Sequence, residues 1–333
     1  MPSFRTGVVT SILSGREGLQ RVEVDGRPAY VLTQLIGPVA VGDRVVVNTT
    51  AVELGLGTGG WDVVHWNLAR EAWSDPGPGH VMKLRYTSLQ ADTGAAEEAD
   101  EYQEPESLDG MPVVVCGLHS QIACVAAVFK HLAPAKRLVY VMPDWAALPL
   151  ALSDLVADLR RLGLLDATVT AGQAFGGEHE SVNVASGLRV AKAAAGADAV
   201  VVAGGPGGVG TATRYGFSAL EVGSVVRAAL EDHGVPLIAL RWSDVDARDR
   251  HRGLSHHSRM ALEWSFSGGL VPIPAGEEHP VVGDHEVIEV DVPDVPALLA
   301  RHGLRVQTMG RGPEDDPRFY SYAGAPGVIA AGA

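Results

Sequence analysis

Short runs rich in Val, Leu and Tyr alternate with polar turn residues through the first ninety positions. Residues 5–13, 21–24, 27–32 and 44–48 each have the length and composition of a strand. Asp25-Gly26 separates two of them by two residues, which is the chemistry of a tight hairpin, and Gly42-Asp43 turns the chain before another. Residues 80–90 read as one more strand. The pattern predicts a small barrel or sandwich. From residue 111 the period switches repeatedly between short apolar runs and helical spacing. Strands are predicted at 112–116, 138–142, 168–171, 199–203, 236–240 and 270–273, with helices at 122–132, 153–162, 181–195, 218–233 and 255–265. Ser153 and Ser218 suit N-caps, and Gly163, Gly196 and Gly234 stand where helices should stop. Apolar strands alternating with helices predict βαβ units and a mostly parallel sheet with helices on both faces, a Rossmann-like α/β fold. Beyond it, a strand at 286–290, a helix at 296–302, a strand at 304–307 and a loop-like tail at 311–333 complete the reading.

Residues 91–110 break the pattern. Asp92, Glu97, Glu98, Asp100, Glu101, Glu104, Glu106 and Asp109 lie there with no Lys or Arg, so a solvated linker is expected. The organisation expected is therefore a β-rich, barrel-like domain at 1–90, an acidic linker at 91–110 and a Rossmann-like domain at 111–275. A small β/α appendage with a tail follows at 276–333.

Composition narrows the function classes. The 333 residues are 46% hydrophobic and 20% charged, an ordinary globular mix. A formal charge of −14 argues against nucleic acid or an anionic membrane as partner, since binding phosphate backbones relies on basic patches. No stretch reaches the roughly 18–20 apolar residues of a membrane span, and residues 1–18 hold no apolar run behind a basic start, so no signal peptide is expected. Cys116 and Cys124 are too few, and in no CxxC pair, to staple a chain this long. A cytoplasmic location and a homo-oligomer are expected.

In open parallel sheets ligands sit beyond the carboxyl ends of the strands, and the polar residues gather in those loops. The first delivers His119 and Ser120, the second Asp144, and the third Glu178-His179-Glu180. The fourth gives a glycine turn, residues 204–210. There Gly205, Gly207 and Gly210 fit G-x-G-x-x-G between a strand and a helix, and Gly208 and Thr211 complete the segment. Glycines let backbone N–H groups approach a phosphate closely. The acidic residue a dinucleotide site needs about 20 positions on is missing, and no Gly-Lys-Ser/Thr follows. The fifth loop holds Asp244, Asp246, Arg248, Arg250, His251, Arg252, His256 and His257, a basic, histidine-rich segment in an acidic chain. It suits either a phosphate held by charge-assisted bonds, with Arg250 and Arg252 as donors, or a divalent metal held by Asp244, His251 and His256. A solvated loop with a Ser255 cap would look the same. His119, Glu178, Glu180, His256 and His257 are the candidates for acid–base work. Ser120, Gly205, Gly207, Gly208, Gly210, Thr211, Arg250 and Arg252 are the candidates for binding.

Six segments together resemble a family of uncharacterised bacterial proteins, Domain of Unknown Function thirty-eight sixty-six. They are Gly55-Leu56-Gly57-Thr58-Gly59-Gly60, Met82-Lys83-Leu84-Arg85-Tyr86-Thr87, Gly117-Leu118-His119-Ser120, Ala174-Phe175-Gly176-Gly177, Gly205-Pro206-Gly207-Gly208-Val209-Gly210-Thr211 and Arg250-His251-Arg252-Gly253-Leu254-Ser255-His256-His257. The resemblance implies membership across most of the chain and no reaction.

The leading expectation is an enzyme or binding protein for a small anionic ligand, phosphorylated or nucleotide-like, held at the glycine turn and the His/Arg-rich loop. One alternative is a metal-dependent hydrolase or lyase built on that loop. The other is a non-catalytic ligand sensor or oligomer scaffold, with the glycines serving packing alone.

Overall fold

A computed structural model describes residues 2–56, 59–265 and 267–333. They form two compact units, Met1–Gly94 and Ala95–Ala333. In the first, β1 (Phe4–Arg16), β2 (Leu19–Val24), β3 (Arg27–Leu32), β4 (Arg44–Asn48) and β5 (Asp62–Asn67) close a barrel in the order β1-β2-β3-β5-β4. Alternation explains closure. Val22, Val24, Ala29, Val31, Val45 and Val47 point inward and are fully buried, while their neighbours face out. Asp25 and Gly26 take φ of 51° and 74°, the positive pair that a two-residue hairpin turn requires. Residues 80–90 are not one strand. Only Met82–Lys83 pairs, with Ala91–Asp92, because Leu84 and Tyr86 turn the backbone to positive φ. Of the glycine run at 55–60, Gly57 and Thr58 lie outside the described residues.

The second unit is built on an eight-stranded parallel sheet: β6 (Pro112–Cys116), β7 (Leu138–Met142), β8 (Ala167–Ala171), β9 (His179–Ser181), β10 (Ala199–Val202), β11 (Val235–Ala239), β12 (Ser267–Pro274) and β13 (Asp284–Val290). The order is β9-β8-β7-β10-β6-β11-β12-β13. Strands buried on both faces explain the unbroken apolar runs. Val114, Cys116 and Tyr140 face a core with α1 (Gln121–Leu132), α2 (Asp154–Arg161), α6 (Val295–Arg301) and α7 (Pro317–Gly332). Val113, Val115 and Val139 face the opposite core, with α3 (Val184–Ala193), α4 (Val222–Glu231) and α5 (His256–Trp264). The Rossmann-like architecture and the small barrel are both present. Among the described residues no helix is long and apolar enough to cross a membrane.

Three local expectations are corrected. The acidic stretch is not simply solvated. Leu108 is fully buried, Arg189 pairs with Glu104 at 2.7 Å and Asp232 at 2.6 Å, and Lys192 donates to the Ser107 and Leu108 carbonyls. Ser218 caps no α-helix; its hydroxyl accepts from the Val209 N–H while α4 starts at Val222. The loop-like tail is α7, with Phe319, Tyr320 and Tyr322 buried. A helix buried nearly all round shows no amphipathic period, and its Gly, Ala and Pro content reads as a loop. Gly327 lets it lie on α1, since a Cβ there would stand 2.8 Å from the Val125 carbonyl.

Candidate functional site

The site follows from topology. β6 and β10 are neighbours, yet the chain leaves β6 into α1 on one face and β10 into α4 on the other. The two departing loops diverge and leave a crevice beyond the strand ends, the place where open α/β sheets bind ligands. A cavity of about 380 Å³ opens there. Its walls are the turn 117–120, the glycine turn 204–208, Trp145 and the segment 305–309.

The glycine turn brings unsatisfied donors to this cavity wall. Among the described residues, no group accepts the backbone N–H of Gly205, Gly207 or Gly208. Two of these glycines also have a structural reason. A Cβ at Gly205 would lie 2.3 Å from the Ala147 carbonyl oxygen, and Gly207 has φ of +85°. Arg305 stands exposed at the wall without a hydrogen bond or ion pair among the described residues. No Asp or Glu lines the cavity, although the chain carries 40 of them.

His119 lies under the turn, not free within it. Its Nδ1 is 3.0 Å from the Gly204 carbonyl, which can only accept, so Nδ1 carries the proton. Nε2 then accepts from the Ser153 hydroxyl at 2.7 Å, while the same oxygen caps α2 by accepting from the Val156 N–H. Burial pushes the pKa of His119 down to about 4, against the opposing pull of the Gly204 carbonyl. Both ring nitrogens are engaged and the ring is neutral at pH 7. It positions.

Of the other candidates, Ser120, Gly205, Gly207 and Gly208 line the cavity and the rest do not. Gly210 and Thr211 instead begin a small hairpin, where the Thr211 N–H donates to the Gly216 carbonyl at 2.7 Å. That hairpin carries Phe217, whose ring stacks on His257 at 4.1 Å. The glycine segment and the histidine helix therefore touch through an aromatic contact rather than a shared ligand pocket. Glu178 pairs with Arg160 at 2.6 Å, and Glu180 accepts from Thr170 Oγ1 and the Gly176 N–H, both at 2.7 Å. Both sit at or beside the edge strand β9, three strand spacings from β10, which is roughly 14 Å.

The basic loop is held by its own carboxylates. Asp246, buried, receives Arg241 at 3.0 Å, Arg248 at 3.0 Å and Arg311 at 3.2 Å. Arg311 also reaches the buried Asp316. Burial pushes the Asp246 carboxyl up, but hydrogen bonds from Arg248 and the charges of Arg248 and Arg241 hold it well below the usual carboxylate range. His251 is fully buried. Its Nε2 accepts from Arg250 Nε and its Nδ1 meets Ser255 Oγ at 2.7 Å. Arg250 is spent on that bond, and Arg252 lies near Asp249 at 3.5 Å. Asp244 is taken by Arg318 at 2.9 Å and by the Trp242 indole N–H at 3.0 Å. The expected metal trio of Asp244, His251 and His256 is thus not assembled; among the described residues no three His, Cys, Asp or Glu side chains converge to hold a metal.

Sequence reasoning missed Arg305, Trp145 and the arginine cage around Asp246. Trp145 adjoins Asp144, whose carboxylate accepts from the Gln173 N–H. Arg305 and Arg311 lay in segments read as a strand and a tail, and no strand forms at 304–307.

Fold and cavity together define an α/β protein with a donor-lined glycine turn at the switch point of a parallel sheet, preceded by a small closed barrel. The chain belongs to the family described as Protein of unknown function (DUF3866), whose model matches residues 28–327. No curated protein and no solved structure matches it.

Proposed function

We propose that this protein binds a small anionic ligand, phosphorylated or nucleotide-like, in the cavity beyond β6 and β10. The carrying observation is electrostatic. In a chain of net charge −14, this cavity is lined by Gly205, Gly207 and Gly208, by Ser120 and by Arg305, and by no carboxylate; among the described residues those glycine N–H groups have no acceptor and Arg305 has no ion pair. Such donors favour an anion and repel nothing that carries one. The reading is one of binding rather than acid–base catalysis, because His119 has no free nitrogen and Glu178 and Glu180 stand far across the sheet. Cys116 and Cys124 are buried free thiols, in keeping with a reducing, cytoplasmic setting.

A second reading has one observation in its favour. Gly205 is needed for the close approach of the Ala147 carbonyl whether or not a ligand binds, so the turn also suits a scaffold. Thermal-shift measurements with inorganic phosphate, pyrophosphate, sugar phosphates and nucleotides separate the two. A ligand at 100 times its Kd stabilises by about 2.7 kcal/mol, and that gain should shrink in Arg305→Ala. A flat melting temperature across the panel leaves the scaffold.

A further inference from the structure

We infer that the cavity takes a phosphomonoester carrying a planar, nucleobase-sized ring, and not a dinucleotide. This rests on the anion-binding reading above and goes beyond it in naming the ligand's second half. About 380 Å³ is far more room than a bare phosphate fills and lies at the lower end of small-molecule sites. One part of the lining is rich in donors: the glycine N–H groups, Ser120 and Arg305. Another part is apolar: Leu118, Trp145, Leu155, Val306 and Met309. A ligand that satisfies both has a compact anion and a hydrophobic body.

Trp145 specifies the body. A Cβ added to Gly204 would lie 3.2 Å from Trp145 Cβ and 3.3 Å from its Cε3, so the indole stands directly beside the phosphate-facing turn. A ring one sugar away from the phosphate reaches it, and stacking on an indole is sequence-tolerant and worth a measurable share of affinity. The exposed amide of Gln307 lies in the same wall. A dinucleotide fits poorly for a separate reason. It joins two such nucleotide units, and about 380 Å³ lies at the lower end of small-molecule sites.

Calorimetric titration of the full chain with adenosine and uridine monophosphates, adenosine, ribose 5-phosphate, inorganic phosphate and NAD tests this. The better nucleoside monophosphate should bind at least tenfold tighter than adenosine, ribose 5-phosphate or phosphate, and tighter than NAD. Trp145→Ala should bring the monophosphate to the level of ribose 5-phosphate without weakening ribose 5-phosphate itself, and Trp145→Phe should restore most of the difference. Arg305→Ala should cost the monophosphate tenfold and leave adenosine unchanged. Ribose 5-phosphate binding as tightly as the monophosphates, or NAD binding more tightly, overturns the ring assignment and leaves the anion site standing. If no phosphorylated compound binds, both fail together. A folded state is confirmed for each variant by its thermal melt.

Discussion

His119 donates from Nδ1 to the Gly204 carbonyl at 3.0 Å, and this bond decides which way the glycine turn faces. In a trans peptide the carbonyl of one residue and the N–H of the next point in opposite directions. Drawing the Gly204 oxygen toward His119, with the Tyr140 hydroxyl 3.4 Å away on the same carbonyl, therefore turns the Gly205 N–H to the other side. A half-buried, neutral imidazole thus sets the polarity of the turn through a backbone carbonyl.

Replacing it should separate positioning from packing. His119→Ala takes the imidazole away from the Gly204 carbonyl and the Ser153 hydroxyl, which keep only the longer Tyr140 contact and the Val156 N–H, at a cost of about 1–3 kcal/mol. The melt should fall by several degrees, and phosphate-ligand affinity should fall with it. His119→Asn or His119→Gln, which keep a donor, should recover part of the affinity. Equal affinity in His119→Ala and the native chain, measured by calorimetry, would remove the positioning role.

The motif glycines make unequal demands. Gly205→Ala forces a methyl group to 2.3 Å from the Ala147 carbonyl, so overpacking of about 1–3 kcal/mol is expected. Gly207→Ala meets nothing within 4 Å but keeps a φ of +85°, which costs roughly 1–2 kcal/mol. Gly210 has no such φ, and its nearest neighbour would be the Phe217 Cβ at an ordinary 3.4 Å. Gly210→Ala should change the unfolding free energy from urea titration by no more than about 0.5 kcal/mol, the range of a neutral substitution. A Gly210→Ala variant as unstable as Gly205→Ala would mean that all three glycines serve one motif.

That inequality shows what was legible in the sequence. The apolar runs gave away β6, β7, β10 and β11, because strands buried on both faces have no other composition open to them. Asp25-Gly26 announced the hairpin for an equally local reason. The glycine turn was visible for the same cause, and topology placed it at the switch point. What stayed hidden depends on distant partners. α7 has no amphipathic period because Phe319, Tyr320 and Tyr322 are all buried, and nothing local marks Arg311 as a partner of Asp246, 65 positions away. Arg305 is conspicuous only for having no carboxylate beside it, which is a property of the cavity and not of its own neighbours in the chain.

Asp246 is the residue on which the basic loop depends. It lies among Arg241, Arg248 and Arg311, and Arg241 is itself buried. Asp246→Ala or Asp246→Asn would leave Arg241 inside the protein without a countercharge, and breaking a buried pair from one side costs about 3–5 kcal/mol. Chemical denaturation should show that loss. Arg248→Ala, at the exposed side of the same carboxylate, should cost far less, about 1 kcal/mol or under for a pair with one partner in solvent. Comparable losses from Asp246→Asn and Arg248→Ala would show that the cage is not organised around the buried charge.

The pH dependence of stability follows from three histidines. Burial pushes His119 and His251 down to about 4 and His257 to about 3, with Arg241 and Arg248 adding to the fall at His251 and His251 itself adding to that at His257. Each folded value lies below the ordinary 6.5, so between the two the unfolded chain binds protons that the folded chain refuses. Their contribution is complete above about pH 6.5 and declines as the pH falls toward the folded values. Carboxylates enter only at lower pH, since their ordinary values lie near 4; the interval from about 6.5 to 5 therefore reports the histidines. The urea midpoint should drop steadily across it, and His257→Gln, which removes one proton site beside Phe217, should make the slope shallower. A midpoint that stays level from pH 7 to 5 would contradict the neutral state of these rings.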